Sequence, residues 1–469
     1  MIEKERKRNA SNSALHGAFH GRLPKCIVVS LGCPKNTVDS ERLLAELLRH
    51  GYSLTTNAED ADVIIVNTCG FIKAAVEESL DVLRRLSRYK RNGRARSLIA
   101  AGCLCSRAPE LIKRFVPQVD ACLPVDKLLE IPRVIRSLNG AVTYDKCSKL
   151  RDDKDGVRKE PFGARLLSTP SWYSYLKLAE GCDRSCSFCV IPMIRGSQSS
   201  RKLEEIEAEA MWLASVGVKE LILVAQETTR YGFDLYGKLM LPKLLRQLVK
   251  IEGIHWVRIL YGFPTTVTDE LIETMAALVK VVRYIDVPFQ HVHPEILRAM
   301  RRPGDAESYL RLIERLRSAM PDIAIRTTFI VGFPGESEAH FEMLLEFVRE
   351  AKLDRVGAFT FSPEPETDAA KFDGQVPDEV KLERYKRLME LQSYISFERN
   401  RQFIGKEIEV LIESWSEHKG AWVGRSYRDA PEIDGAVYVS GDGLKPGEFA
   451  KVIVEGSDEY DLFAKLSQR

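Results

Sequence analysis

Short apolar runs rich in β-branched residues alternate with stretches of helical periodicity, and this alternation occurs twice along the chain. In the first series the runs are Cys26–Leu31, Asp62–Val66 and Ser97–Ala101, separated by helical patterns over Val38–Leu48 and Phe71–Leu86. A shorter run, Asp120–Leu123, and a helical stretch, Leu128–Leu138, close it. Strands that take turns with helices imply a parallel sheet covered by those helices. The second series predicts six strands: Tyr173–Leu178, Glu220–Val224, Trp256–Leu260, Tyr284–Val287, Ile323–Ile330 and Val356–Phe361. Six parallel strands fit either a doubly wound sheet or an incomplete barrel, and periodicity does not choose between them. A long helix from Asp378 to about Phe403 then ends at Gly405. Beyond it, Lys406–Lys465 carries short alternating runs punctuated by Gly, which read as a small antiparallel β-domain.

The expected organisation is therefore multidomain α/β. A flexible tail covers 1–24, an open parallel α/β domain 25–140, a charged linker 141–171, a second α/β domain 172–404 and a β-domain 405–469. A length of 469 residues suits about three domains at roughly 150 residues each. Hydrophobic residues at 45% and charged residues at 29% exclude disordered and fibrous classes. No apolar run approaches the ~18 residues of a membrane span, and the first residues lack the apolar core of a secretory signal. The expectation is a cytoplasmic protein without a membrane partner. Its ten cysteines are then expected to be thiols rather than disulfides.

Three of those thiols are close in sequence. Cys182, Cys186 and Cys189 form a C-x3-C-x2-C set just after the first strand of the second series. Thiolates are soft ligands for zinc or iron–sulfur. A structural zinc site needs four ligands, and no fourth Cys or His lies near this loop. A four-iron cluster on three cysteines keeps one iron open to another ligand, so a catalytic cluster is favoured over zinc or core packing. Three further cysteines are distant in sequence yet equivalent in pattern. Cys33, Cys69 and Cys103 each follow a strand of the first series, each beside a glycine. The carboxyl ends of parallel strands face one crevice, so the three converge. A second iron–sulfur site is favoured over three small buried hydrophobes. Cys105, two residues on, competes with Cys103, which is preferred because it directly follows Gly102. Cys26 and Cys122 read as core and Cys147 as an exposed linker residue.

These motifs resemble the methylthiotransferase family of radical S-adenosylmethionine (SAM) enzymes. The carrying residues are Ser30–Glu41, Asn67–Phe71, Ala179–Cys189, Ile191-Pro192, Arg195-Gly196, Ala225–Gly232, Pro288–His291 and Gly332–Glu336. The stretch Gly424–Gly435 resembles the branch that modifies an aspartate of ribosomal protein uS12. The resemblance implies an N-terminal α/β domain, a partial (β/α)6 radical SAM barrel and a C-terminal TRAM β-barrel. It implies two [4Fe-4S] clusters. One, on Cys182, Cys186 and Cys189, reductively cleaves SAM to a 5′-deoxyadenosyl radical. The other, on Cys33, Cys69 and Cys103, supplies sulfur that a second SAM methylates. An electron donor is implied as a partner. Polar residues beyond the barrel strands are the candidate SAM and substrate contacts: Gln226, Glu227, Thr228, Gln290 and His291, with Gly332 permitting close backbone approach. Each has an ordinary alternative, in which it satisfies loop backbone, caps a helix or makes a turn.

Within the family the rival substrate is an adenosine of tRNA; outside it, the rival is an iron–sulfur scaffold or redox sensor. Over 405–469 eight Lys or Arg face thirteen Asp or Glu. A phosphate-binding module is expected to be basic, whereas an acidic one suits a basic ribosomal protein. Arg84–Arg96 carries seven cations and no acid. It reads first as a solvated helix end, second as an incidental ribosomal RNA contact.

Overall fold

The computed structural model describes residues 23–138 and 163–467. Cys147, nearly all of the 1–24 tail and most of the 141–171 linker lie outside the described residues. The chain forms two compact units. Of the described residues, one unit holds those up to Thr169 together with Val190–Ser197; the other holds Pro170–Cys189 and those from Gln198 onward.

The first unit is built on five parallel strands: β1 (Lys25–Ser30), β2 (Ser53–Leu54), β3 (Val63–Thr68), β4 (Ser97–Gly102) and β5 (Ala121–Leu123). Every residue of β3 and β4 is buried, as expected for strands covered on both faces. Ile64, Val66, Leu98 and Ala100 pack with Leu80 and Leu83 on one face. Val63, Ile65 and Ile99 pack with Leu43, Leu47, Ile131 and Ile135 on the other. The strand order is β2-β1-β3-β4-β5. The order reverses between β1 and β3, and such a switch point opens a ligand crevice at the carboxyl ends of those two strands. The first helix, Pro34–Arg49, starts four residues before the expected Val38 because Pro34 supplies a ready-made first turn. The last, Ile131–Leu138, starts later than expected because a 3-10 turn fills Val125–Glu130.

One expectation about the cysteines is corrected here. Cys105 is disulfide-bonded to Cys122, with a Cα–Cα distance of 5.7 Å. Cys122 lies on β5 beside Ala100 of β4, and Cys105 sits in the short helix Cys103–Arg107 that leaves the end of β4. That geometry brings the two side chains together in the apolar layer and takes Cys105 out of competition with Cys103.

In the second unit, β6 (Tyr173–Lys177) is followed by the short pair β7 (Ala179–Glu180) and β8 (Ser199–Ser200). Then come β9 (Glu220–Val224), β10 (Trp256–Ile259), β11 (Val281–Asp286), β12 (Ala324–Val331) and β13 (Arg355–Thr360). The parallel sheet runs β6-β9-β10-β11-β12-β13, in chain order without reversal. A doubly wound sheet would reverse its order; a sequential sheet with a crossover after each strand is an open (β/α)6 barrel. The fourth expected strand is displaced: β11 spans Val281–Asp286 rather than Tyr284–Val287.

A closed five-stranded barrel completes the unit: β14 (Glu407–Ser416), β15 (Ala421–Ser426), β16 (Val437–Ser440), β17 (Phe449–Ser457) and β18 (Leu462–Leu466), in the order β14-β15-β16-β18-β17. Its interior is Val410, Ile412, Val437, Val439, Val452 and Val454. The end of β15 and the segment after it enter the amino-terminal mouth of the (β/α)6 sheet as a set of buried charges. Glu220, the first residue of β9, accepts from Arg258 Nε and Arg425 Nη2, both at 2.7 Å. Asp354 pairs with Arg428 and Arg399, Arg355 with Asp429, and Arg326 with Asp286 and Asp434. The Gly424–Gly435 stretch is thus the anchor of the small barrel, at the mouth opposite the cysteine loop.

Candidate functional site

In the first unit Cys33 follows β1 at the head of the helix Pro34–Arg49, Cys69 follows β3, and Cys103 follows β4. Two of them flank the switch point and the third follows the adjacent strand, β4. Glycine beside two of them permits close approach of neighbouring chain. A Cβ on Gly32 (φ +89°) would lie 3.0 Å from Cys69 Sγ. One on Gly102 (φ +93°) would lie 2.2 Å from Asn67 Oδ1 and 2.9 Å from the Thr68 carbonyl. Burial pushes the Cys103 thiol up to about 11, against the pull of Arg195, with Cys33 and Cys69 raising it further. Burial also raises Cys69. Burial thus favours the protonated form of Cys69 and Cys103, and loading a metal centre would displace those protons.

A polar shell surrounds the trio. Asn36 and Asp39 lie on one face of the first helix, at i and i+3. Asn36 Nδ2 donates to the Leu31 and Thr68 carbonyls at 2.8 and 3.2 Å. The buried Arg195 donates to Asp39 at 3.2 Å, to Asn36 Oδ1, and to Cys103 Sγ at 3.3 Å. Val190 and Ile194 pack against Cys103 in the same unit.

The second trio lies in the loop beyond β7. Cys182 accepts from the Arg184 N–H at 3.4 Å, and the Cys189 N–H donates to the Cys186 carbonyl at 3.1 Å. Burial raises the Cys182 thiol, aided by the charges of Glu227 and Cys186. Arg302 Nη1 lies 3.7 Å from Cys186 Sγ, and its Nη2 donates to the Pro288 carbonyl at 2.6 Å. Ser187 ties the loop down through bonds to the Ala299 and Met300 carbonyls. Each trio has a guanidinium beside one of its thiols, Arg195 at Cys103 and Arg302 at Cys186, which would offset accumulating negative charge. This chemistry fits a thiolate-held iron–sulfur group.

The six candidate contacts separate by their surroundings. Glu227 is buried at the carboxyl end of β9, gripped by Arg184 through two 2.7 Å bonds and by Thr266 at 3.1 Å. Gln226 donates to Glu180 at 3.0 Å, and among the described residues its own buried carbonyl oxygen has no hydrogen-bond partner. Such an orphan is what a polar ligand would satisfy. Thr228 is consumed locally, accepting the Ala225 N–H at 3.0 Å. Gln290 adopts φ +72° and bridges to β12 through its backbone. His291 is fully buried; its Nδ1 accepts the His293 N–H, and its Nε2 lies 3.5 Å from Glu336. Gly332 (φ +72°) makes a turn held by Glu336, and a Cβ there would strike Lys381 Cγ at 2.2 Å. Arg184, Arg302 and Phe263 were not legible as site residues. Phe263 lies under both guanidinium groups, 3.9 and 4.3 Å from its ring centre. Arg184 sits between two cluster cysteines in sequence, which was the available signal.

A third group, His293, Glu295 and His340, has ligand atoms within 4.8 Å of one another. Both rings are already helix caps: His293 Nδ1 accepts the Glu295 N–H at 3.3 Å, and His340 Nδ1 the Ser337 N–H at 3.2 Å. Each therefore carries its proton on Nε2 and offers no lone pair there. This group reads as capping, not as a metal centre.

Three family models match the chain: the radical SAM superfamily over 176–348, the uncharacterized protein family UPF0004 over 25–124, and the TRAM domain over 404–466. The ribosomal protein uS12 methylthiotransferase RimO of Pelotomaculum thermopropionicum is 49% identical over 93% of this chain and 97% of its own length. That of Symbiobacterium thermophilum is 44% identical over 97% and 94%. The chain belongs to the RimO family of radical SAM methylthiotransferases. RimO membership accounts for the three modules in their order along the chain. Among solved structures, the radical SAM methyltransferase TsrM from Kitasatospora setae, with cobalamin and a [4Fe-4S] cluster bound, aligns with a TM-score of 0.54. It covers 74% of this chain and 77% of that one at 14% identity, a likeness of fold. Among the described residues no helix is long and apolar enough to cross a membrane.

Proposed function

We infer that this chain is a radical SAM methylthiotransferase that places a methylthio group on the β-carbon of an aspartate of ribosomal protein uS12. The observation that carries the reading is near-complete mutual coverage with RimO proteins at 44–49% identity. We propose two [4Fe-4S] clusters, one held by Cys182, Cys186 and Cys189 and the other by Cys33, Cys69 and Cys103. When bound, these groups supply the one-electron cleavage of SAM and the sulfur atom that is transferred; the protein supplies position and electrostatics.

The residues have separable tasks. Arg184 and Thr266 lock Glu227 so that the polar rim at the carboxyl ends of β9 and β10 is rigid before SAM arrives. Gln226 offers its unpartnered carbonyl to a donor on SAM. Phe263 gives Arg184 and Arg302 a shared aromatic surface, which restrains both guanidiniums. Ser187 fixes the cysteine loop against the Ala299–Met300 backbone. The electron donor is a one-electron reductant whose identity rests on no residue here.

Charge bears on the choice between protein and tRNA. Several acids of the small barrel are used internally: Asp429 and Asp434 pair with arginines of the (β/α)6 sheet. Among residues 405–467, seven acids and five lysines are exposed, a smaller excess than the sequence total suggested. The exposed face is still not basic, which disfavours a phosphate backbone. In the Arg84–Arg96 stretch, Arg84, Lys90 and Arg94 are engaged by Asp81, Asp120 and Asp62. That pairing supports the solvated reading over an RNA contact.

The test is anaerobic reconstitution with iron, sulfide, reductant and SAM, followed by mass spectrometry of uS12 and of tRNA. Release of 5′-deoxyadenosine with a net gain of CH2S on one uS12 aspartate is expected. The same gain on tRNA with uS12 unaltered would overturn the reading.

A further inference from the structure

We propose that Arg195 and Asp39 form a charge pair that sets the electrostatics of the auxiliary cluster, through the thiolate of Cys103. The proposal rests on the reading that Cys33, Cys69 and Cys103 hold such a cluster. Neither residue is a cluster ligand; both are positioning residues.

The geometry is specific. The Arg195 side chain is 2% exposed. It spends one terminal nitrogen on Asp39 and the other on Asn36 Oδ1 and Cys103 Sγ. Asn36 is itself immobilised by two carbonyls, so the guanidinium has no freedom to turn away. A hydrogen bond from a cation to a thiolate is charge-assisted and strong when buried. Such bonds to cluster sulfur, and net charge nearby, are main determinants of reduction potential.

Chain connectivity makes the arrangement informative. Arg195 is six residues beyond Cys189, yet Val190–Ser197 belongs to the first unit, where Val190 and Ile194 pack against Cys103. The helix Ile191–Arg195 ends at Gly196 (φ +72°), which fixes where Arg195 falls. One loop therefore carries a ligand of one proposed cluster and the counter-charge of the other.

The sign follows from electrostatics. A reduced cluster carries one more negative charge than an oxidised one, and Arg195 stabilises that charge. Arg195→Gln keeps a hydrogen-bond donor but loses the cation, so the potential falls. Asp39→Asn removes a negative charge from the pair beside Cys103, so the potential rises. The expected size is about tenfold in the equilibrium for electron uptake, or about 59 mV for a one-electron couple.

The experiment uses the reconstituted full-length chain carrying C182A, C186A and C189A, so that only the auxiliary site holds iron. Iron and sulfide are quantified first. No cluster in this background refutes the reading on which the proposal rests, separately from the proposal. With a cluster present, its potential is measured by EPR-monitored redox titration in R195Q, R195K and D39N. Opposite shifts for R195Q and D39N, with R195K near the parent, support the proposal. Unchanged potentials, or shifts of the same sign, overturn it. If R195Q fails to load, R195K and D39N decide: parent-like R195K with raised D39N supports the proposal, and any other pattern overturns it.

Discussion

Gly102→Ala is expected to remove the auxiliary site while leaving SAM cleavage intact. Gly102 has φ +93° and ψ −152°, a region essentially reserved for glycine. Holding alanine there costs about 1–3 kcal/mol. The new methyl would also sit 2.2 Å from Asn67 Oδ1 and 2.9 Å from the Thr68 carbonyl. Neither yields easily: Asn67 is fixed by bonds to the Asn36 carbonyl and Ser40, and Thr68, the last residue of β3, is held by its hydroxyl's bond to the Ala101 carbonyl. Overpacking of this kind adds about 1–3 kcal/mol. The total, about 4 kcal/mol, exceeds what a local adjustment absorbs, and the least costly relief is rotation at residue 102. That rotation moves Cys103, the next residue, away from Cys33 and Cys69. Two assays separate the outcomes. Iron per chain is measured in the background lacking Cys182, Cys186 and Cys189, where it is expected to vanish. Release of 5′-deoxyadenosine is measured with those cysteines present, where it is expected to persist. Gly163→Ala is the control, since Gly163 shares a positive φ (+81°) but among the described residues no atom lies within 4 Å of the added methyl. Full iron loading and normal methylthiolation by G102A would refute the geometric argument.

Three further outcomes follow from the geometry. Glu220→Gln leaves Arg258 and Arg425 buried without their main counter-charge; because Glu413 and two carbonyls remain nearby, the cost is at the low end for broken buried pairs, about 3 kcal/mol by denaturant unfolding. Burial works against ionisation of Glu220, but Arg425 and Arg258 outweigh it and hold the carboxyl below its usual range. Its stabilisation is therefore complete above that range and fades as pH falls through the depressed value, so E220Q should flatten the acid limb of stability against pH. Asp305→Ala removes a capping box at the helix Ala306–Ala319 and should cost about 1 kcal/mol in thermal or denaturant unfolding. Cys105→Ser should leave auxiliary iron unchanged, whereas Cys103→Ser should abolish it; equal loss in both would mean that Cys105 is a ligand after all.

The architecture was legible where it follows from periodicity. Both β/α series and the long helix, Asp378–Arg401, come from runs of buried residues that solvent exposure forces into regular patterns. What escaped was short or irregular. β2 has two residues, and β15 begins Ala421-Trp422-Val423 without clean alternation. The cysteine equivalence at strand ends needed only the parallel sheet to be noticed. The strand order, which makes β1 and β3 the switch point, needed the tertiary pairing of β2, which no local pattern specifies. The disulfide between Cys105 and Cys122 was missed for the same reason: it depends on β5 lying beside β4.

Charge was the least legible property, because a sequence total does not say which charges meet. The thirteen acids and eight bases of the C-terminal stretch looked like a surface signal. Yet Arg425, Arg428 and Asp429 are buried, and they serve to seat the small barrel on the amino-terminal mouth of the (β/α)6 sheet. Arg195 makes the converse point. By sequence it belongs to the loop of Cys189, and the natural assignment is to that cluster. By fold it lies in the other unit, against Cys103 and Asp39. A buried guanidinium is costly unless its donors are used, and among the described residues Asp39, Asn36 and Cys103, all of the first unit, accept from Arg195. Burial energetics, rather than proximity in sequence, therefore assign it to the site its charge affects.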